Sequence, residues 1–520
     1  MINMNGFSEK IHLLPDAPTE AHPQADRERI LHELERKGFQ NVSMTLFALR
    51  SLYPLCREHG WDITVTLVHK DSQTFVTAIE PGDTTASHYG LAVDLGSTTV
   101  VMQIVNMNTG DVLSEARCMN GQICYGDDIL TRIIYAKDNP EHQRETAAAT
   151  HNTFLTLFHD LEADCGIAAS QCPVMIVSGN TTMIHFLLGL DAWTIFSSPY
   201  APVASDPGSF WGNEIGLDYP GMVYIIPAIA NYLGGDITSG LLTTDFYKKD
   251  GLSVFFDIGT NGELVLGNKD FLIAGAGAAG PALEGGISQY GMRARNGAID
   301  RIVISGSSLN YTTIGNKPPE GICGSGIIDL IAQMRLNGWI DISGTLNPSA
   351  SDRIIYLSET EEYAAVYAAA HESACKEPLY FSQTDIRQYL DTKAAAHTMV
   401  DCLLDASGFT PDDITAFYTA GAFGTYADLE SAVTVGIFPD LPRERFHCLQ
   451  NSSLAGARAL LLDRSRMDDI HYLLETVYCI QFASMPDFLI KMQASKFIPH
   501  TDMRLYPSVE RALAAKGAHV

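Results

Sequence analysis

Basic residues are scarce in this chain. Lysine and arginine number 34 against 61 aspartates and glutamates, a net charge of −27 over 520 residues. Such a surface repels phosphate backbones and anionic headgroups, which excludes nucleic acid and anionic membranes as general partners. A solvated acidic surface, or a face that docks a basic partner, is what remains. No apolar run is long and uninterrupted enough to span a bilayer. The N-terminus, Met1-Ile2-Asn3-Met4-Asn5-Gly6, lacks a signal-peptide pattern. The ten cysteines never fall into C-x-x-C spacing, so neither a zinc ribbon nor a ferredoxin cluster is legible. Reduced structural thiols in a cytoplasmic protein are the expectation. H-E-x-x-H spacing is missing too, and no tightly bound zinc is expected.

What is present is a short pattern that occurs twice. Leu91-Ala92-Val93-Asp94-Leu95-Gly96-Ser97-Thr98-Thr99 is matched by Val254-Phe255-Phe256-Asp257-Ile258-Gly259-Thr260-Asn261-Gly262, and a second apolar run follows each. A buried strand delivers the Asp to a sheet end, where a carboxylate can hold a metal ion directly or through water. The Gly admits close backbone approach and turn dihedrals closed to other residues. Hydroxyl side chains and successive N–H groups then donate to an anion. No lysine sits in either loop and a strand follows the turn, which separates both from a Walker P-loop. Two copies suggest a duplicated fold whose halves face each other across a nucleotide phosphate chain, with Asp94 and Asp257 as metal-site candidates.

A chain of 520 residues should hold several domains. Residues 1–24 read as a Pro-rich linker and 25–88 as a small α+β module with helices at Asp26–Lys37 and Ser43–His59 and paired strands at Ile63–His69 and Thr74–Ile79. Beyond the first hairpin, Val174–Val177 is a buried strand running into Ser178-Gly179-Asn180-Thr181-Thr182. Tyr232-Leu233-Gly234-Gly235-Asp236 opens another helix, and Gly324-Ser325-Gly326 a third. Thr415–Tyr418 is a strand leading into Ala420-Gly421-Ala422-Phe423-Gly424.

Two Asp-Gly hairpins and a late Gly-rich strand-to-helix turn resemble the acetate and sugar kinase/Hsp70/actin superfamily. Asp257-Ile258-Gly259-Thr260-Asn261-Gly262-Glu263, Ala278-Ala279-Gly280-Pro281-Ala282-Leu283-Glu284-Gly285, Gly321-Ile322-Cys323-Gly324-Ser325-Gly326, Ala420-Gly421-Ala422-Phe423-Gly424 and Gly179-Asn180-Thr181-Thr182-Met183 look like one branch, the reductive activators of corrinoid proteins. The module at 25–88 and the tail Pro499-His500-Thr501-Asp502 are similar to that branch as well. The resemblance implies an α/β, two-lobed ribonuclease H-like ATPase: lobe I over 89–250 with the phosphate-1 hairpin, and lobe II over 251–520 with phosphate-2 and the adenosine turn. The C-terminal segment is left free to return to lobe I. It also implies ATP and Mg²⁺ as cofactors and a corrinoid protein as partner, whose Co(II) is returned to Co(I). Members of that branch carry an iron–sulfur domain. This chain begins at the linker and has no cysteine cluster, so a shortened form with no cluster of its own is expected: either a separate ferredoxin-like protein supplies the electrons, or the chain is an ATP-dependent conformational partner that carries none. A symmetric homodimer is an option the sequence leaves open.

Gly96, Ser97, Thr98 and Thr99 are expected to line the phosphates from one side, and Gly259, Thr260, Asn261 and Gly262 from the other. Gly280 is expected at the nucleotide, and Gly421, Ala422, Phe423 and Gly424 at adenine and ribose. Asn180 and Thr181 are placed to contact phosphate or water, or to cap the helix that follows. Glu263, Glu284 and Asp236 each follow a Gly-rich turn and are candidates to orient the attacking water, although strand alternation is a reason for Glu263 to point away. Cys323 reads as a small buried thiol. A small-molecule kinase of the same superfamily, or a nucleotide-binding interaction module without turnover, is the alternative.

Overall fold

The computed structural model describes residues 5–259, 261–277, 286–421, 427–485 and 487–517. The chain forms two compact units, one of residues 1–243 with 452–475, the other of 244–451 with 476–520.

The first unit begins with a four-stranded sheet in the order Ser8–Leu13, Ile63–Lys70, Gln73–Pro81, Val42–Met44. Its core gathers Ile30 and Leu34 from the helix Asp26–Arg36, Ala48, Leu52 and Cys56 from the helix Leu46–Glu58, and Trp61, Val65 and Leu67. Two local expectations change here. Ser8–Leu13 lies in the segment read as linker, yet pairs antiparallel with Ile63–Lys70. Its polar composition hides a strand that is half-covered rather than core, anchored where Ser8 Oγ meets the buried His88 Nε2 at 2.8 Å. Val42–Met44 is a strand and not a first helical turn, because Thr45 caps the helix by accepting from Ala48 N–H.

The larger sheet of this unit runs Val112–Met119, Thr99–Asn106, Tyr89–Leu95, Val174–Gly179, Met222–Ile225, Ser209–Trp211. The first three strands are antiparallel neighbours; Tyr89–Leu95, Val174–Gly179 and Met222–Ile225 are mutually parallel. Val174–Gly179 is buried along its whole length, as a strand between two others with both faces covered must be. The C-terminal ends of these parallel strands carry the turn after Asp94, Asn180-Thr181, and the loop to the helix Gly235–Leu242. The helix Ser452–Leu462 packs on Gly235–Leu242 through Gly456, where a Cβ would lie 1.9 Å from Ser239 O.

The second unit repeats the order. Its main sheet runs Val477–Cys479, Phe271–Gly277, Gly262–Asn268, Leu252–Ile258, Ile414–Ala420, Phe446–Cys448. Again an antiparallel trio leads to parallel partners, Ile414–Ala420 beside Leu252–Ile258 and then Phe446–Cys448. Two three-stranded sheets and the helices Gly324–Leu336 and Gln383–Ser407 complete it around a core that includes Phe256, Ile322, Ile327, Trp339, Tyr389 and Phe417. The repeated order is the duplicated α/β, ribonuclease H-like architecture that the two Asp-Gly hairpins led us to expect. Among the described residues no helix is long and apolar enough to cross a membrane.

Candidate functional site

In the first unit the turn after Asp94 is held from behind. Asn120 Nδ2 donates to Gly96 O at 2.9 Å, Arg132 Nη1 to Ser97 O at 2.6 Å, and Asn120 N–H to Thr98 O at 2.8 Å. Three successive carbonyls are thereby turned into the protein. None of the N–H groups of Gly96, Ser97 and Thr98 donates to another described residue. Amides without an internal acceptor, beside carbonyls pinned into the protein, are available to an anion. Gly96 is required, because a Cβ there would meet Thr99 O at 2.4 Å. Thr99, the first residue of the next strand, is exposed, while Ser97 and Thr98 are half-buried at the rim.

Arg132 was not singled out in the sequence. It is 1% exposed, and its guanidinium also donates to Gly126 O at 2.8 Å and Asp127 O at 3.3 Å. The signal was available: Arg132 is the one charged residue in the apolar helix Ile129–Ala136, and an arginine on a buried face needs acceptors.

Beside this turn lie the other first-unit candidates. Asp94 occupies register positions opposite Ser178 on the parallel strand and Val101 on the antiparallel one, and its Oδ1 accepts from Ser453 Oγ at 2.7 Å. Asn180 caps the helix Thr181–Leu187, accepting from Met183 N–H at 3.0 Å. The buried Thr181 hydroxyl has no partner among the described residues. It lines a small cavity with Gly179, Ser205, Ile226 and Gly235. Gly234 presses on this corner, where a Cβ would lie 2.6 Å from Asn180 Cα and 2.7 Å from Asp236 Oδ1. Burial, with the charge of Asp94 adding to it, pushes the Asp236 carboxyl up to about 7. A carboxyl poised near neutrality is matched to proton transfer at physiological pH.

In the second unit Asp257 lies opposite Glu263 on the antiparallel strand and Ala420 on the parallel one. Directly opposed residues share a sheet face, so alternation places Glu263 on the same face as Asp257, contrary to the reason for doubting it. Like charges opposed in this way repel; a divalent cation would offset the repulsion, and two carboxylates are the oxygen donors Mg²⁺ takes. Gly421 has φ +79°, and a Cβ there would lie 2.6 Å from Asp257 Oδ1 and 2.7 Å from Ile258 O. Gly259 N–H donates to Asn261 O at 2.9 Å, Asn261 is exposed, and Gly262 begins the next strand. Thr260, Gly280, Glu284, Ala422, Phe423 and Gly424 lie outside the described residues. Cys323 is buried, its thiol donating to Ile299 O at 3.3 Å.

A separate cluster joins the C-terminal segment to the long helix Gln383–Ser407. Buried Lys393 donates to the carbonyls of Ser495 at 2.6 Å, Phe497 at 2.7 Å, and Pro499. Burial lowers its ammonium to about 7. His397, Asp401 and His500 sit close by, with potential ligand atoms within 4.8 Å of one another. His500 Nδ1 accepts from Asp502 N–H at 3.0 Å, which leaves the ring proton on Nε2. This cluster is a structural clasp for the segment Ser495–Asp502.

Similarity to known proteins follows the same layout. Three family profiles match in order: the RACo linker region over residues 1–86, the RACo middle region over 89–249, and the C-terminal domain of RACo, the ASKHA domain, over 251–510. A solved structure, a reductive activator for a corrinoid, iron-sulfur protein, superposes with a TM-score of 0.87 at 34% identity, covering 97% of this chain and 81% of its own. The corrinoid activation enzyme RamQ of Eubacterium limosum is 29% identical over 410 residues, 77% of this chain and 69% of the relative. The [Co(II) methylated amine-specific corrinoid protein] reductase of Methanosarcina barkeri is 25% identical over 418 residues, 74% and 71% of the two chains. With these regions in register along its length, the chain belongs to the RACo family of corrinoid-protein reductive activators, built on the ASKHA fold.

Proposed function

We propose that this protein is an ATPase that reactivates a corrinoid protein, coupling ATP binding and hydrolysis to the reduction of Co(II) to Co(I). The observation that carries the reading is the anion cradle of Gly96, Ser97 and Thr98 beside Asp94, in a chain that aligns along 97% of its length with a reductive activator. Its enzymatic character follows the relatives, one a corrinoid activation enzyme and one a Co(II) corrinoid protein reductase.

In this reading the amides of 96–98 and the hydroxyls of Ser97, Thr98 and Thr99 hold phosphate, as do Gly259, Thr260, Asn261 and Gly262 in the second unit. Asp94 and Asp257 would hold Mg²⁺, which would supply neutralisation of charge on the phosphates. Gly421, Ala422, Phe423 and Gly424 are assigned to the adenosine end of ATP, and Gly280 to the nucleotide. Asp236 is the favoured group for orienting and deprotonating the attacking water, supported by its carboxyl raised to about 7. Glu263 is assigned to the Asp257 cation, on the strength of their opposed register, and Glu284 is a further candidate for the attacking water. The nucleotide drives the partner only if ATP-bound and ADP-bound forms bind it with different affinity. A ferredoxin-like donor supplies electrons in trans, because the ten cysteines carry no cluster spacing. A homodimer in the cytoplasm is the proposed working form.

The test mixes the protein with ATP, Mg²⁺, a Co(II) corrinoid protein and a low-potential donor, with and without ferredoxin, and follows the cobalt spectrum. Co(I) formation that needs both ATP and this protein is the expected result. An unchanged cobalt spectrum, with ATP consumed only when a small metabolite is added, would replace the reading with a kinase.

A further inference from the structure

Three buried serines stand behind Asp94 without a role in the chemistry above. Ser178 and Ser239 are fully buried and Ser453 is 7% exposed. Ser178 is the last residue but one of the strand parallel to that of Asp94, Ser239 lies in the helix Gly235–Leu242, and Ser453 enters from the helix Ser452–Leu462. Ser453 Oγ lies 2.7 Å from Asp94 Oδ1, Ser178 Oγ lies 2.8 Å from Ser453 Oγ, and Ser239 Oγ lies 2.7 Å from Ser178 Oγ.

Each hydroxyl has one proton, and that count sets the direction. A carboxylate oxygen only accepts, so Ser453 donates to Asp94. The short Ser178–Ser453 contact then needs the Ser178 proton, and the short Ser178–Ser239 contact needs the Ser239 proton. The competing acceptors, Gly235 O at 3.1 Å from Ser178 and Asp236 O at 3.0 Å from Ser239, are both farther away. The result is a one-way chain, Ser239 to Ser178 to Ser453 to Asp94, in which each donor polarises the next. The helix that brings Ser453 can come this close only because residue 456 is glycine: a Cβ there would lie 1.9 Å from Ser239 O.

We infer that Ser453 is a positioning residue for Asp94, itself aligned by Ser178 and Ser239, and that this hydroxyl chain sets the carboxylate for a magnesium nucleotide. Neutral donors suit that task. They commit a lone pair of Oδ1 and so fix the side-chain orientation, whereas a lysine or arginine would cancel the negative charge a cation needs. The inference rests on Asp94 belonging to the nucleotide site.

The experiment uses the full chain with Ser453→Ala, Ser178→Ala and Ser239→Ala beside Asp94→Asn. ADP binding is measured by calorimetry in EDTA and across a magnesium titration, and Tm is recorded for each variant. The expected result is ADP affinity in EDTA within about twofold of wild type for the three serine variants. Half-saturating Mg²⁺ rises about tenfold for Ser453→Ala and about threefold for Ser178→Ala, with Ser239→Ala less affected. A purely structural role would lower Tm and affinity alike in EDTA and in magnesium, without that gradient, and this result would overturn the inference. If Ser453→Ala does not fold, Ser178→Ala decides by the same readout. If Asp94→Asn loses the magnesium effect while the serine variants behave as wild type, positioning fails alone. If Asp94→Asn itself binds magnesium ADP as wild type does, the assignment of Asp94 fails and the positioning with it.

Discussion

The two units share a strand order and an Asp-Gly turn, and differ in what surrounds the aspartate. Asp94 is flanked in register by Val101 and Ser178, Asp257 by Glu263 and Ala420. In the first unit a serine hydroxyl donates to the carboxylate, and the Asn120 amide and a buried arginine anchor the turn from behind. In the second, two carboxylates are opposed and a left-handed glycine lies against one of them. The duplication kept the strand, Asp and Gly of each turn, and among the described residues the layer behind them diverges. In the first unit the contacts pin the carbonyls of the turn; in the second, a carboxylate stands in register opposite the aspartate.

The strongest way to break this comparison is to remove each aspartate in turn. Asp94→Ala and Asp257→Ala should each lower ATP turnover 100-fold or more with circular dichroism unchanged; loss in only one would mean that one copy has become structural. Gly421→Ala places a Cβ against Asp257 Oδ1 in a backbone region unfavourable to side chains, and should cost roughly 1–3 kcal/mol of stability together with a tenfold or greater loss of turnover. A variant of wild-type Tm and turnover would remove that glycine from the argument.

Asp236→Asn probes the first unit through pH. Its folded carboxyl, raised to about 7, keeps a proton that the unfolded chain releases near 4. The stability linked to that proton is present below about 4 and lost as pH rises through about 7. The variant should therefore lose turnover at pH 8 yet be more stable there, by roughly 1–3 kcal/mol in denaturant titrations, with little difference at pH 4. An unchanged pH slope would refute the assignment.

Arg132→Lys keeps the charge but loses the planar fork that reaches several carbonyls, so the turn after Asp94 should loosen and KM for ATP rise about tenfold with a smaller change in kcat. Smallest is Glu263→Gln. Relief of repulsion with Asp257 should stabilise the protein by a few tenths of a kcal/mol in EDTA and reverse sign in excess Mg²⁺. The same shift in both buffers would separate Glu263 from the cation.

The duplicated turns were legible because their chemistry is local: strand, Asp, Gly and hydroxyl are contiguous at 91–99 and again at 254–262. The supporting layer was not. Arg132 lies 35 residues from Ser97, and Ser453 lies 359 residues from Asp94, so neither spacing marks a partner in one dimension. Asn120 precedes Gly121 with no local mark of its purpose, which is visible only once its amide meets Gly96 O. The strand Ser8–Leu13 was missed because an edge strand half-covered by neighbours needs little hydrophobicity. The register of Glu263 against Asp257 depends on hairpin pairing rather than on composition.

Residues 452–475 complete the first unit, although residues 244–451 of the second are synthesised before them. On a ribosome adding about 5–20 residues per second, the first 243 residues must wait roughly 10–50 s for their missing helix. During that interval Gly235–Leu242 lacks the neighbour that packs on it, and Asp94 lacks its hydroxyl donor. Nascent chains paused before residue 452 should thus carry a first unit open to proteases and chaperones, and the ability to hold nucleotide would arise late in the life of the polypeptide.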